Sequence, residues 1–305
     1  MAAEGRPRDL RDGEVWTRRQ RWKNDLIHAA ARAALAVATR LPPRALAILG
    51  ALLGLSAWAA MPRTRAVVRD RLAAGLGEPV SPARARAVFR RAGATLADTL
   101  MLLDPRERAG RTLTLDDASR DVFRRALDAG RGVVFVCAHL GPWERLAALL
   151  AEEGFPVTTI ARESYDPRFT ALYDRLRAPR GVRSIYRGHA GAALAVAREL
   201  KHARAVGFLI DLPARVPSLR APLFGRATDV PVGAARIALA RRAEVVVGTA
   251  APGSRVRITR IEAADLERGR DGEEALVRRL THELEERIAA DPEAWLGLFA
   301  SPERR

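Results

Sequence analysis

The sequence predicts an α/β protein, in which a largely parallel or mixed sheet is flanked by helices and preceded by an N-terminal membrane-associated helical region. From residue 117 onwards, apolar runs typical of strands alternate with segments of helical period. An apolar stretch interrupted by few charges lies between residues 24 and 61. With 305 residues, 48% of them hydrophobic, the chain is long enough to bury one sizeable core.

The predicted elements of the α/β part follow from these signals. Strands are expected at 132–138, 157–161, 182–186, 205–211, 244–250 and 255–261. Helices are expected at 118–128, 142–153, 167–177, 190–201, 232–241 and 273–289. Because parallel strands end at one edge of a sheet and ligands gather there, His139 and Asp211 are both predicted to lie at that edge.

The N-terminal part divides by composition. Residues 1–23 form a basic, polar extension without the apolar core of a signal peptide, residues 24–75 are predicted to be membrane-associated helices, and residues 76–305 form the α/β domain. Ser81-Pro82 is a helix start signal, and the apolar residues that follow it at helical spacing indicate core packing.

The apolar stretch from Ala45 to Met61 contains no charged residue. As a helix it would extend about 25 Å, less than the ~30 Å hydrocarbon core of a bilayer. Basic residues flank the region on both sides: Arg18, Arg19, Arg21 and Lys23 before it, and Arg63, Arg65, Arg69 and Arg71 after it. Two short helices that dip into the cytoplasmic leaflet satisfy both length and charge. The alternative is a buried helical hairpin of a soluble protein.

The net charge of +16 comes almost entirely from arginine, since only Lys23 and Lys201 are lysines among the 52 basic residues. A surface this basic suits nucleic acid, anionic lipid or an acidic protein, and a bias towards arginine codons would produce it as well. No nucleic-acid-binding motif is visible. The single cysteine, Cys137, excludes an internal disulfide and lies within an apolar run, which indicates an inert core thiol.

The stretch VVFVCAHLGPWE, residues 133–144, carries the first candidate for chemistry. Its strand ends near His139, Gly141-Pro142 turns the chain into a helix, and Glu144 follows in the first or second turn. A carboxylate on one imidazole nitrogen would fix the tautomer and leave the other nitrogen as a general base. The spacing alone is a weak signal, and a structural histidine is the alternative.

Further motifs make the sequence resemble the lysophospholipid acyltransferase superfamily, and within it the bacterial lipid A late acyltransferases. The His-x4-Asp/Glu motif of that superfamily is met as His139-Leu-Gly-Pro-Trp-Glu144, with the aromatic residue that this branch commonly has before the acid. The second and third blocks of the branch are matched by Arg162, Asp166-Pro167, Arg177 and Gly181, and by Asp211, Phe224-Gly225-Arg226 and the helix after Pro231.

The resemblance covers roughly residues 25 to 299 and has three departures. Leu212 stands where the branch usually has glutamine, the C-terminal stretch keeps Trp295 but lacks a His-Arg-Arg, and the extension before residue 24 is additional.

The resemblance implies transfer of a fatty acyl chain from a thioester, on acyl carrier protein or coenzyme A, to a hydroxyl of a membrane glycolipid such as a lipid A precursor. His139 would be the base and Glu144 its orienting acid, with no metal and no cofactor beyond the acyl co-substrate. Arg162, Arg177 and Arg226 would hold phosphates, Gly225 would allow close backbone approach, and Asp211 would orient the site or cap a strand. The implied partners are a lipid acceptor, acyl carrier protein and an anionic membrane surface, without nucleic acid, at the cytoplasmic face of a bacterial inner membrane.

Three other functions are kept open. One is a metallohydrolase that uses His139, Glu144, Asp211 and a second histidine, although no H-E-x-x-H pair is present. Another is a catalytically silent membrane- or nucleic-acid-binding homologue. The third is an acyltransferase for a different glycolipid, such as a phosphatidylinositol mannoside or an aminolipid.

Overall fold

The computed structural model describes residues 15–251 and 254–300, and its centre is a mixed sheet of seven strands. The strands of the chain are β1 (Thr114–Leu115), β2 (Val133–Cys137), β3 (Val157–Arg162), β4 (Arg183–Arg187), β5 (Ala205–Leu209), β6 (Ser218–Leu223), β7 (Arg226–Pro231), β8 (Glu244–Ala251) and β9 (Arg255–Arg260). The sheet order is β1-β9-β8-β2-β5-β3-β4, and β8 with β9 is its antiparallel pair. The predicted α/β class is confirmed.

Ten α-helices lie in the described part of the chain. They are α1 (Arg18–Ala38), α2 (Pro43–Ala60), α3 (Pro62–Leu76), α4 (Pro82–Met101), α5 (Asp117–Asp128), α6 (Trp143–Glu152), α7 (Pro167–Arg177), α8 (Ala192–Lys201), α9 (Gly233–Arg241) and α10 (Arg270–Ala290). Ser81 caps α4 as the sequence predicts, its hydroxyl accepting a hydrogen bond from the backbone N–H of Arg84.

Alternate residues of β2 point into two hydrophobic cores, one on each face of the sheet. Val134 and Val136 pack with α3, α8, α9 and α10, whereas Phe135 and Cys137 pack with α5, α6 and the end of α7. Every residue of β2 is buried. A strand buried on both faces reads as a continuous apolar run, which is why VVFVC shows no alternation.

The register between β2 and β5 positions the carboxyl edge of the sheet. The two strands are parallel neighbours, and Cys137 lies opposite Leu209. Both strands end at this pair, so His139 and Asp211 each lie two residues beyond it. The sequence-predicted strand at 205–211 is therefore two residues too long, and Asp211 belongs to the loop that follows.

The structure also contains an antiparallel hairpin, β6–β7, that the sequence analysis missed. Its two-residue turn, Phe224-Gly225, has positive φ at both positions, 49° and 70°. That geometry matches the tight turn that joins strands with their natural twist. Asparagine and aspartate are the residues that usually mark such a turn before glycine, and phenylalanine gave no signal.

The N-terminal helices lie against the α/β domain. α1 begins at Arg18, within the segment predicted as a polar extension, and residues 1–14 of that extension lie outside the described residues. Arg168 at the start of α7 binds Asp25 of α1 at 2.8 Å. α3 buries Val68, Arg71 and Leu72, and so packs as part of the domain.

α2 runs antiparallel to α4 at a distance that only glycine permits. A Cβ on Gly50 would lie 2.5 Å from the carbonyl oxygen of Gly93, and one on Gly54 would lie 2.1 Å from that of Phe89. The outer face of α2 is apolar and exposed at Ile48, Leu49, Leu52 and Leu53. By length and composition α2 is the one helix of the described residues that could cross a membrane, and 17% of its apolar window is buried.

Candidate active site

His139 and Asp211 are joined at the carboxyl edge of the sheet by two hydrogen bonds. The Oδ1 atom of Asp211 lies 2.8 Å from Nδ1 of the imidazole, and Oδ2 accepts the backbone N–H of His139 at 2.9 Å. The carboxylate therefore holds both the main chain and the ring of one residue. This arrangement fixes Nδ1–H as the protonated position and leaves Nε2 as the base.

The carboxylate of Asp211 is fully buried and has a third donor. The indole N–H of Trp295 donates to Oδ2 at 2.8 Å. Burial by itself raises the pKa of Asp211, but the charge of His139 and the hydrogen bonds from His139 and Trp295 outweigh it, so the pKa lies below its ordinary value. Asp211 is thus a carboxylate that stays ionised inside the protein.

The C-terminal segment is bound to the strand end that carries the histidine. Leu140 and Trp295 form an isolated antiparallel bridge, the N–H of Gly141 donates to Ala294, and the N–H of Leu296 donates to the carbonyl of His139 at 2.9 Å. These bonds place the indole of Trp295 over Asp211. In the sequence, Trp295 stands out only as a residue that fits the family pattern, and no local signal predicts its contact with the acid.

The imidazole of His139 is partly accessible, with 25% of the side chain exposed. Burial lowers the pKa of His139, but the charge and hydrogen bond of Asp211 and the charge of Glu144 raise it by more. The pKa of His139 therefore lies above its ordinary value. The Nε2 atom makes no hydrogen bond with any residue in the ranges the structure describes. The Trp143 ring lies edge-on to the imidazole, with 5.0 Å between the ring centroids, and forms an aromatic wall beside it.

The predicted contact between Glu144 and the imidazole is wrong. Glu144 lies in the first turn of α6, and Arg177 binds both of its oxygens, at 2.9 Å from Nε and 2.5 Å from Nη2. Both side chains are largely buried, 7% and 11% exposed. A buried carboxylate requires a partner of opposite charge, and the arginine from α7 supplies it. Glu144 therefore raises the pKa of His139 through its charge, without a hydrogen bond to the imidazole.

The other predicted site residues are spread along the same edge and around it. Arg177 is engaged by Glu144 and also lies over the Tyr173 ring at 5.3 Å, so its guanidinium is not a free phosphate ligand here. Arg162 is exposed at the end of β3, two strands away from β2. Their predicted contacts with phosphate stay predictions.

Gly225 and Arg226 lie at the tip of the β6–β7 hairpin. A Cβ on Gly225 would meet the carbonyl oxygen of Ala74 at 2.2 Å, so this glycine permits close approach to α3. The ring of Phe224 packs against Trp295 at 5.5 Å. The hairpin tip therefore supports the indole that binds Asp211, while Arg226 is exposed.

In the described part of the chain, Cys137 and the acidic side chains form neither a nucleophilic thiol site nor a metal site. Burial raises the pKa of the Cys137 thiol to about 12, and the charge of Asp211 adds to that rise, so this thiol is not a nucleophile. Among residues 15–251 and 254–300, no cluster of three or more histidine, cysteine, aspartate or glutamate side chains is arranged to hold a metal ion.

Two cavities differ in their relation to this chemistry. A cavity of about 1040 Å³ opens where β2 and β8 begin, and its lining includes Arg131, Glu244 and Arg260 but none of the residues around His139. A small one of about 40 Å³ lies beside Glu144 among apolar residues of β2, α6 and β5. It has room for little more than a water molecule. Chemistry and not cavity size therefore locates the site.

Comparison with known families gives a match over most of the chain. The model of the bacterial lipid A biosynthesis acyltransferase family matches residues 20–300, which include every element from α1 to the C-terminal segment. A search of curated proteins found no match. The matched range covers most of the chain, and the chain therefore belongs to the bacterial lipid A biosynthesis acyltransferase family.

Proposed function

We propose that this acyltransferase moves a fatty acyl chain from a thioester, on acyl carrier protein or coenzyme A, to a hydroxyl of a lipid A precursor, without a metal or further cofactor. The observation that carries the proposal is the His139–Asp211 pair, which leaves the accessible imidazole with a free Nε2. Such a pair is suited to removing a proton from an alcohol. The family supplies the acceptor class.

In the proposed reaction, Nε2 of His139 takes the proton of the acceptor hydroxyl while the oxygen attacks the thioester carbonyl. The C–O bond forms, the C–S bond breaks in the tetrahedral intermediate, and the departing thiolate takes the proton back from the imidazolium. Asp211 stabilises that imidazolium through Nδ1–H. No covalent intermediate on the enzyme is required.

We place the enzyme on the cytoplasmic face of the bacterial inner membrane, held by α1 and α2. The support is the exposed apolar face of α2 and the close contact of its opposite face with α4. α4 exposes Arg86 and Arg90, so a bilayer that surrounded α2 would also enclose these charges. An in-plane position, with the outer face of α2 in the leaflet, leaves them at the surface.

The excess of positive charge supports the proposed partners. A net charge of +16 favours an anionic membrane surface and an acidic carrier protein alike. The donor thioester would then approach from the cytoplasm while the acceptor stays in the leaflet.

The test compares lipid extracts of cells that carry the wild-type gene, no gene, or the His139→Ala gene, analysed by mass spectrometry. The proposal expects lipid A that lacks one acyl chain without the gene and with His139→Ala. Unchanged lipid A together with an altered second glycolipid would replace the acceptor. Identical lipid profiles in all three strains would reject the enzymatic function.

A further inference from the structure

Arg71 of α3 is a buried guanidinium with only one of its nitrogens in use. The residue is 8% exposed, and its Nη1 donates to the carbonyl oxygens of Gly297 and Leu298 at 3.4 and 3.1 Å. Its Nε is buried without a hydrogen-bond partner, and Nη2 likewise donates to none of the described residues. A buried donor without an acceptor is costly, and a charged one more so.

The unused nitrogens share one edge of the guanidinium. Nε–H and Nη2–H point in parallel, and this edge is the fork that arginine offers to a carboxylate or phosphate. No carboxylate of the described residues lies within ion-pair distance of Arg71. The carbonyl contacts on Nη1 meanwhile hold the side chain in place, so this buried, unpaired edge is fixed in orientation.

A second unpaired arginine comes from the hairpin tip. Gly225 touches Ala74, which lies one helical turn after Arg71 on the same face of α3, and Arg226 is the next residue. The charge of Arg226 acts on Arg71, and after burial it is the second cause that lowers the pKa of Arg71. Arg226 makes no ion pair with a described residue. Glu285 reaches only the backbone N–H of Gly225, at 3.4 Å.

From these contacts we infer that Arg71 and Arg226 form an anion-binding site for a phosphate monoester, with Arg71 supplying a two-donor edge and Arg226 a flexible second charge. Two neighbouring cations without a counter-ion repel each other, and a dianion between them removes that cost. The site lies on α3, directly after the apolar helix α2, and the membrane position proposed above would set it near the lipid headgroups. That its ligand is the acyl acceptor rests on the proposed function, but the binding itself does not.

The test measures binding by isothermal titration calorimetry on the full-length protein in dodecyl maltoside micelles at pH 8. The probes are dodecyl phosphate mixed into the micelles and inorganic phosphate in the buffer. Arg226→Gln is expected to weaken dodecyl phosphate binding at least tenfold. Arg198→Gln removes the same charge from an exposed, unpaired position on α8 and is expected to change the affinity less than twofold.

Arg71→Lys gives a second reading of the same site. It keeps the charge and lacks the fork, and a loss of affinity in this variant with an unchanged melting temperature supports the two-donor edge. Saturable binding of dodecyl phosphate alone identifies a lipid headgroup, whereas equal competition by inorganic phosphate identifies a free phosphate. Equal weakening by Arg226→Gln and Arg198→Gln, or no saturable binding to the wild type, overturns the inference. Neither measurement requires turnover, so a failure of acyl transfer is seen separately.

Discussion

The carboxylate of Asp211 binds the imidazole of His139 at 2.8 Å although 72 residues separate the two in sequence. They meet because β2 and β5 are parallel neighbours in register, and each side chain follows its strand at the same distance. The acid of the family motif, Glu144, lies only five residues after His139 but instead neutralises Arg177. The proposed base and its orienting acid are therefore delivered by two strands and not by one loop.

Asp211→Asn should reduce the rate of acyl transfer strongly while the protein stays folded. The amide keeps the shape but does not stabilise the imidazolium, so kcat/KM should fall by about 10²–10⁴. Release of the thiol from an acyl thioester donor gives the rate. Far-UV circular dichroism is the control for folding, and a folded variant with more than half of the wild-type rate would contradict the assignment.

The pH profile should report the raised pKa of His139. The base must be neutral, so kcat/KM should rise with pH, and its midpoint should lie above the ordinary histidine value of about 6.5. Asp211→Asn removes the largest upward influence, and burial, then opposed only by the smaller effect of the Glu144 charge, would lower the midpoint. Rates measured between pH 5 and 9 decide this. A wild-type midpoint below the ordinary value, or one that Asp211→Asn leaves in place, would argue against the pair.

Glu144→Gln should affect stability more than chemistry. The change leaves Arg177 buried and uncompensated, which costs on the order of 3–5 kcal/mol. The double variant Glu144→Leu with Arg177→Met should recover most of this loss, because apolar side chains of similar size replace a buried ion pair well. Urea unfolding measures both. If the double variant loses as much free energy of unfolding as the two single variants together, the two residues do not act as a pair.

Trp295→Phe should remove one hydrogen bond from Asp211 while an aromatic ring still fills the position. The aromatic ring can still pack on Phe224, but the N–H that donates to Oδ2 is lost. A hydrogen bond to a charged group contributes about 1.5–3 kcal/mol, and the free energy of unfolding should fall by that amount.

The rate of Trp295→Phe should fall less than that of Asp211→Asn. Trp58→Phe is the matched control, since Trp58 packs against Phe89 and donates no hydrogen bond to a described residue through its indole. Equal losses of unfolding free energy in the two tryptophan variants would show that ring size alone matters.

Leu49→Glu combined with Leu52→Glu should release the protein from vesicles that contain anionic lipid. Both side chains are about half exposed on α2, at 48% and 54%, so the fold should survive. Each leucine that no longer enters the leaflet removes at least about 1.5 kcal/mol, and partitioning should fall on the order of a hundredfold. Vesicle flotation measures it. Leu194→Glu on α8, 54% exposed as well, is expected to leave partitioning unchanged, and release by that variant too would refute an α2-specific contact.

Local patterns determined much of the architecture. The apolar run before His139, the Ser81 cap of α4 and the alternation of strands and helices correspond to elements whose signals lie within a few neighbouring residues. The same patterns missed the β6–β7 hairpin, because its Phe224-Gly225 turn is stabilised by packing on α3 and Trp295 and not by typical turn residues.

The sequence by itself determined that His139 closely follows a buried strand and that acidic and basic residues come after it at the spacing of a known motif. Only the tertiary structure decided which acid the imidazole binds. Strand order is set by long-range packing, so the neighbour of β2 could not be read from the residues around it. The contacts of Trp295 with Asp211 and of Arg71 with Leu298 have the same origin, since each joins segments that are more than 80 residues apart along the chain.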